Sequence, residues 1–364
     1  ADGARVPLRY HRLHNPRTSA VGIVRVDRRW FTMQHCVRDD SVGKWPCTPS
    51  QEPPAPELPK PATTRFSENG DRALRELAPS IAMVEFDIPY RLDGVHGESF
   101  QGAGLVVDAE LGLVVVDRET VPIAMGDVTV TFGGSVKVSG EVVYLHPEHN
   151  IAVVRYDPRL VGDTPIREAE LKPKSLTAGD DIWMVGLSMR KKLISRKTEI
   201  SGLEPVRLTL TYPPRFRERN LEGYSINDST STVGGVLADG KGRVHALWVS
   251  YSTGHGKDMR QFFVGIPIER VIEIVEPLRN GNFVNWRSLG VELGPVNIAD
   301  ARDRGLSDVR AARIEAKMPS AARVLSVVRQ SFDSPARKLL EEGDLLLEID
   351  GKSITAYPQI ERAS

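Results

Sequence analysis

Cysteine is nearly absent from this chain: 364 residues hold two, Cys36 and Cys47. Two cannot form a disulfide framework or a zinc cage, and their spacing fits no standard metal motif. They read as reduced thiols, and neither a metal nor a cofactor is expected. Net charge is absent too. The 48 Lys and Arg balance 48 Asp and Glu, leaving no overall field to hold nucleic acid or an anionic membrane. No apolar run approaches the roughly 18 residues that span a bilayer. Gly133-Gly134 and Gly254-His255-Gly256 lead into no helix with a phosphate-binding pattern, which argues against a nucleotide site. What is present is a 40% hydrophobic content, enough for real cores in two or three domains.

Residues 1–45 carry one strand-like run, 20–26, and read as a small β segment. Seven prolines in the sixteen residues 46–61 remove backbone donors and favour extended chain, so 46–71 reads as a linker. A short helix is predicted over 71–77. Strands are then predicted over 81–86, 103–107, 112–116, 128–132, 142–145 and 151–156, a set of the size of a small antiparallel barrel. A second set covers 181–185, 206–211, 235–237, 244–250 and 262–265. It is closed by an amphipathic helix over 268–278, with Pro267 at its start and Gly281 beyond its end. From Leu289 the character changes to a helix after Ser334-Pro335-Ala336, an apolar strand, and a tight Asp350-Gly351 turn. The expected fold class is mainly β: two antiparallel barrels, a C-terminal helix, then a separate small domain.

Several runs, in this order and spacing, resemble the HtrA-like (DegP-like) serine proteases, whose trypsin-like domain is followed by PDZ domains. They are Gln101-Gly102-Ala103-Gly104-Leu105-Val106-Val107, His146-Pro147 through Asn150-Ile151-Ala152-Val153-Val154, and Phe263-Val264-Gly265-Ile266-Pro267-Ile268. Gly281-Asn282-Phe283 through Gly290-Val291 and Gly343-Asp344 to Gly351-Lys352 continue the match. It covers about residues 72–364 and is similar to the second, degenerate half of the duplicated fungal and plant form, the Nma-type group. The resemblance implies a trypsin-like domain over 72–284 and a PDZ-like domain over 285–364, truncated at its end. The start at Ala1 and the stop at Ser364 lead us to expect an internal fragment. The resemblance further implies a nuclear or cytoplasmic location.

Peptide hydrolysis on this framework takes a serine oxygen as nucleophile, a histidine to accept its proton, and a carboxylate to orient that histidine. By the resemblance, the base position holds Glu119, in Val116-Asp117-Arg118-Glu119-Thr120-Val121. A glutamate of ordinary pKa, about 4.3, is a poor acceptor for a serine proton at neutral pH. The orienting aspartate, which precedes the Ile-Ala-Val strand in the family, is Asn150. The Gly-Asn-Ser-Gly-Gly turn becomes Ser231-Thr232-Val233-Gly234-Gly235, with Val233 at the nucleophile position and Ser231 disturbing the oxyanion donors.

The chain is therefore expected to be catalytically silent, acting in assembly, scaffolding or peptide capture within a longer serine endopeptidase. Its partners would be peptide or protein ligands, the active half of the same parent chain and, in a homo-oligomer, a further copy of itself, with no nucleic acid and no membrane. An active endopeptidase with relocated residues is the alternative, drawing on Ser229, Ser231, His146, His149, His245 and His255. A peptide-binding adaptor is another. PDZ domains add a peptide strand to a sheet edge and hold its terminal carboxylate with backbone donors. By resemblance, Leu289, Gly290, Val291, Glu292 and Leu293 would supply the carboxylate loop and receiving strand; a plain structural strand is the other reading. The helix near residues 357–363 would form the opposite wall. The basic cluster Arg190-Lys191-Lys192 with Arg196-Lys197 reads as a solvated loop, as does 213–219.

Overall fold

The computed structural model describes residues 21–27, 30–36 and 47–49. From residue 62 it describes all but 90–96, 209–217, 229–230, 254–259, 318–321, 333 and 362–364. The chain divides into two units, Ala1–Lys60 and Pro61–Ser364. In the first, β1 (Val21–Asp27), β2 (Trp30–Cys36) and β3 (Cys47–Pro49) form an antiparallel sheet in that order. The register sets Cys36 opposite Cys47. Thus β3 occupies the start of the stretch read as linker. Its proline stands at the end of a sheet-edge strand, where a missing N–H is tolerated.

In the second unit, Asp71 caps α1 (Arg72–Leu77), accepting from the Leu74 N–H at 2.9 Å. Six strands then close a barrel: β4 (Ile81–Asp87), β5 (Ser99–Asp108), β6 (Leu113–Val116), β7 (Asp127–Phe132), β8 (Val136–Leu145) and β9 (Ala152–Tyr156), ordered β4-β5-β6-β9-β8-β7. A second barrel has β10 (Asp181–Leu187), β11 (Leu193–Pro205), β12 (Glu222–Ile226), β13 (Gly235–Ala238), β14 (Val244–Thr253) and β15 (Arg260–Pro267), ordered β10-β11-β12-β15-β14-β13.

The period-two alternation of strand side chains divides the core of the two barrels in three. Ala82, Val84, Phe86, Val106, Val114 and Val130 fill the first barrel. Ile182, Met184, Leu237, Ala246 and Trp248 fill the second. The opposite faces, including Ile81, Met83, Leu105, Val115, Val185, Val236 and Val249, pack between the barrels with α2 (Ile268–Arg279). Strands buried on both faces read as unbroken apolar runs, which is why Leu113-Val114-Val115-Val116 was legible.

The second barrel departs from expectation at two strands. The strand predicted over 206–211 is not found at 206–208, and 209–211 lie outside the described residues. The barrel uses β11 and β12 instead. All of β11 is exposed or half-buried except Thr198 and Ile200, so no apolar run marks it. The basic cluster is correspondingly not all loop. Arg196 and Lys197 stand on β11, and Lys197 pairs with Asp181 at 2.7 Å; Lys191, in the preceding turn, pairs with Glu85 at 2.8 Å.

The remainder is a small sheet, β16 (Val291–Asn297), β17 (Arg323–Gln330) and β18 (Leu345–Leu346), ordered β16-β17-β18. With it go α3 (Ile298–Asp303), α4 (Asp308–Lys317), the hairpin β19 (Glu348–Ile349) and β20 (Lys352–Ser353), and α5 (Pro358–Glu361). Asp350 and Gly351 have φ of 50° and 73°, the paired positive values of a type I′ turn. The helix expected after Ser334 is the single 3-10 turn Pro335–Lys338. Helices α3 and α4 fill a span in which none was predicted.

Candidate functional site

The positions named from sequence meet where the two barrels face each other. Residues 117–121 turn back after β6, with the Val121 N–H donating to the Asp117 carbonyl at 3.1 Å. Asp117 Oδ1 accepts from Thr120 N–H at 2.8 Å and Thr120 Oγ1 at 2.5 Å. Its Oδ2 accepts from Ser250 N–H and Oγ, both at 2.9 Å, on β14 of the second barrel. Glu119 is half-buried, and Oε1 accepts from Ser252 N–H at 3.4 Å. A Cβ on Gly102 would fall 2.0 Å from Thr120 Oγ1, so glycine is what lets this turn close onto β5.

Asn150 is fully buried, and its side-chain amide and backbone N–H are all hydrogen bonded. Oδ1 accepts from Arg118 N–H at 2.7 Å, Nδ2 donates to the Ser250 carbonyl at 2.6 Å, and its backbone N–H donates to Glu218 Oε2 at 3.0 Å. At residue 233 the chain bridges the barrels. The Val233 N–H donates to the Leu187 carbonyl at 2.8 Å, and its carbonyl accepts from Ala103 N–H at 3.0 Å. Gly234 follows at φ 110°, a conformation a side chain would resist. The amide next to a nucleophile's Cβ is one that acyl-transfer chemistry aims at a developing oxyanion. Here it faces Leu187 instead.

Residues 213–217 of the solvated loop expected over 213–219 lie outside the described residues; Glu218 lies in irregular chain as expected but is buried, not solvated. Its Oε1 lies 2.5 Å from His149 Nδ1, and Oε2 accepts from Tyr251 Oη at 2.7 Å and from Asn150 N–H. A carboxylate is tolerated in the interior when partners replace its water. Burial, then the Glu218 charge, pushes the Tyr251 hydroxyl well above its usual pKa, which keeps it a donor.

His146 and His149 stack at 4.5 Å, with Trp286 edge-on to both at 4.3 and 5.2 Å. His146 Nδ1 accepts from the Glu148 and His149 N–H groups at 3.1 and 2.8 Å, so that nitrogen carries no proton. Burial, reinforced by His149, Arg118 and Arg270, pulls its pKa down to about 2. The unfolded chain, with a histidine pKa of about 6.5, takes the proton first, so stability falls as pH drops below that value and continues falling toward the folded pKa. His146→Asn keeps an acceptor in nearly the same place but does not titrate. Between pH 6.5 and 5 the parent chain is expected to lose about 2 kcal/mol more than this variant; equal losses in denaturant titrations would refute this.

Four of the relocated-hydrolysis candidates are described. Ser231 is exposed whereas His146, His149 and His245 are buried, and Ser229 and His255 lie outside the described residues. Among the described residues no cluster of three or more His, Cys, Asp or Glu side chains could hold a metal ion, and no helix is long and apolar enough to cross a membrane.

No protein-family model matches the chain. It is 35% identical over its full length to the pro-apoptotic serine protease NMA111 of Yarrowia lipolytica, of which it covers 38%. It is 32% identical over 97% of its length to a PDZ domain-containing protein of Schizosaccharomyces pombe, covering 36%. Among solved structures, the HtrA-type protease AlgW with a tripeptide superposes at a TM-score of 0.53 and 18% identity, over 80% of this chain and 86% of that one. The chain is a homologue of the HtrA-like serine proteases. It spans little more than a third of these curated relatives.

Beyond this HtrA-like double barrel, β16 starts at Val291, so Leu289 and Gly290 form the turn before it. Gly290 has φ 64°, and its N–H donates to Ser288 Oγ at 3.1 Å. Ser288 Oγ also donates to Glu148 Oε1 at 3.0 Å, and Arg219 Nη2 to the same oxygen at 2.7 Å. The opposite wall is α5, four described residues long, where Ile360 faces Leu289, Val291 and Leu293 across a cavity of about 30 Å³. Glu218 and Arg219 were missed because nothing in a polar loop sequence marks one residue for burial.

Proposed function

We propose that this stretch is a catalytically silent HtrA-like module, serving a longer serine protease in assembly and peptide capture. The observation that carries the reading is the turn at residue 233. It has a valine where a nucleophile would stand, and that valine's amide hydrogen bonds to Leu187 rather than facing a substrate. A glutamate at 119 and an asparagine at 150 support the same reading, since neither performs the histidine or aspartate role. Hydrolysis by the parent protein would then depend on residues outside this stretch. Peptide capture is supported by the edge strand β16 and by AlgW, an HtrA-type protease whose solved structures hold a tripeptide and a decapeptide.

The test is a fluorophosphonate probe and casein cleavage on the purified chain, with neither labelling nor cleavage expected. Labelling of a serine, abolished by mutating that serine, would overturn the reading.

A further inference from the structure

Among the described residues strand β16 pairs with one strand, β17, so its other edge presents the backbone groups on which a further strand would grow. That edge is already occupied, by side chains. Asn220 Nδ2 donates to the Val291 carbonyl at 2.8 Å and Asn220 Oδ1 accepts from the Leu293 N–H at 2.9 Å. The Leu293 carbonyl accepts from Tyr357 Oη at 3.1 Å. Residues two apart in a strand point their backbone groups to the same side. The primary amide of Asn220 therefore holds a carbonyl and an N–H that an added peptide backbone would take in the same way.

Asn220 is held for this task. Its φ is 53°, a left-handed conformation that asparagine adopts more readily than most residues. The two residues before it are fixed: Glu218 on His149, Asn150 and Tyr251, and Arg219 on Glu148 and Ser331 Oγ, the latter at 3.0 Å. Beside the capped edge, the cavity lined by Leu289, Val291, Leu340, Leu346 and Ile360 is closed to about 30 Å³, room for about one water and for no amino-acid side chain of any size. Arg287 stands at the same cavity, a cation suited to a terminal carboxylate.

We propose that β16 is a peptide-accepting edge held shut from within the chain by Asn220. Its ligand would be an extended peptide ending in an apolar residue with a free carboxylate, which enters by displacing that side chain. The inference rests on the peptide-capture reading above. Because 218–220 run from the barrel interface to this edge, peptide entry would also pull on the segment that Glu218 anchors beside Asn150.

The experiment uses the whole chain and Asn220→Gly, which deletes the amide and accepts the positive φ. The probe is a fluorescein-labelled, alanine-spaced octapeptide ending in Val, Leu or Phe, as free acid and as C-terminal amide. Asn220→Gly is expected to bind a free-acid peptide at least about tenfold tighter than the parent chain, a shift of about 1.4 kcal/mol, with the amide forms weaker on both. Amide hydrogen exchange gives an independent readout, with Leu293 expected to exchange at least about tenfold faster in Asn220→Gly. Equal peptide affinities overturn the gate, and unchanged Leu293 protection overturns the cap. No binding to either chain, with Leu293 deprotected, overturns the peptide-capture reading itself.

Discussion

Replacing Glu218 with alanine is expected to lower the unfolding free energy by about 3–5 kcal/mol, the cost of removing one member of a buried charged or hydrogen-bonded pair. The carboxylate is the common acceptor for His149 Nδ1, the Asn150 N–H and Tyr251 Oη, all of them buried. Alanine leaves these groups facing each other with no acceptor and no route to water, and each stranded donor costs about 1–3 kcal/mol. Relaxation of the segment leading into Glu218 recovers part of that. Glu218→Gln retains one oxygen acceptor and should lose less than the alanine variant. The measurement is the denaturant midpoint at unchanged slope. A loss below about 1 kcal/mol for Glu218→Ala would mean the carboxylate does not hold the barrel interface together.

Val233→Ser is expected to leave the chain as inert as the parent toward fluorophosphonate and casein. Reverting Glu119→His and Asn150→Asp as well should still leave it far from an intact site. Catalytic triads act as units: losing the serine or the histidine alone removes nearly the whole effect, about 10⁶-fold in kcat. One restored member therefore restores almost nothing. The hydrogen bonds at these positions also work against the substitutions. Asn150 Nδ2 donates to the Ser250 carbonyl at 2.6 Å, and an aspartate there would set oxygen against oxygen. The Val233 amide is bonded to Leu187, and a missing oxyanion donor alone is worth about 10²–10³ in rate. The triple variant should therefore be both less stable and at least that far below a competent enzyme. Active-site titration measures it, and stoichiometric labelling of Val233→Ser alone would sink the argument.

The same hydrogen bonds divide what local sequence marks from what it does not. Glu119, Asn150 and Val233 were singled out because each adjoins an apolar strand with a recognisable flank, and a departure stands out against such a flank. Nothing flagged the polar residues that tie the two barrels together here. Asp117 reaches Ser250 across 133 positions, and Glu218 reaches His149 across 69. In a linear sequence each is one acidic residue among 48.

Burial on both faces is what made the double barrel legible. Apolar runs bounded by turns specify β4, β5, β6, β9, β10 and β14, and the helical spacing after Pro267 specifies α2, because desolvation of apolar side chains acts wherever such a run is placed. The Asp350-Gly351 turn is equally local, since positive φ is a property of the residues themselves. Tertiary structure alone decided the exposed strand β11, the short polar β12, the burial of Glu218 and the capping of β16 by Asn220. In these, a polar group takes its place only when a partner distant in sequence satisfies it, and no local pattern records where that partner will be.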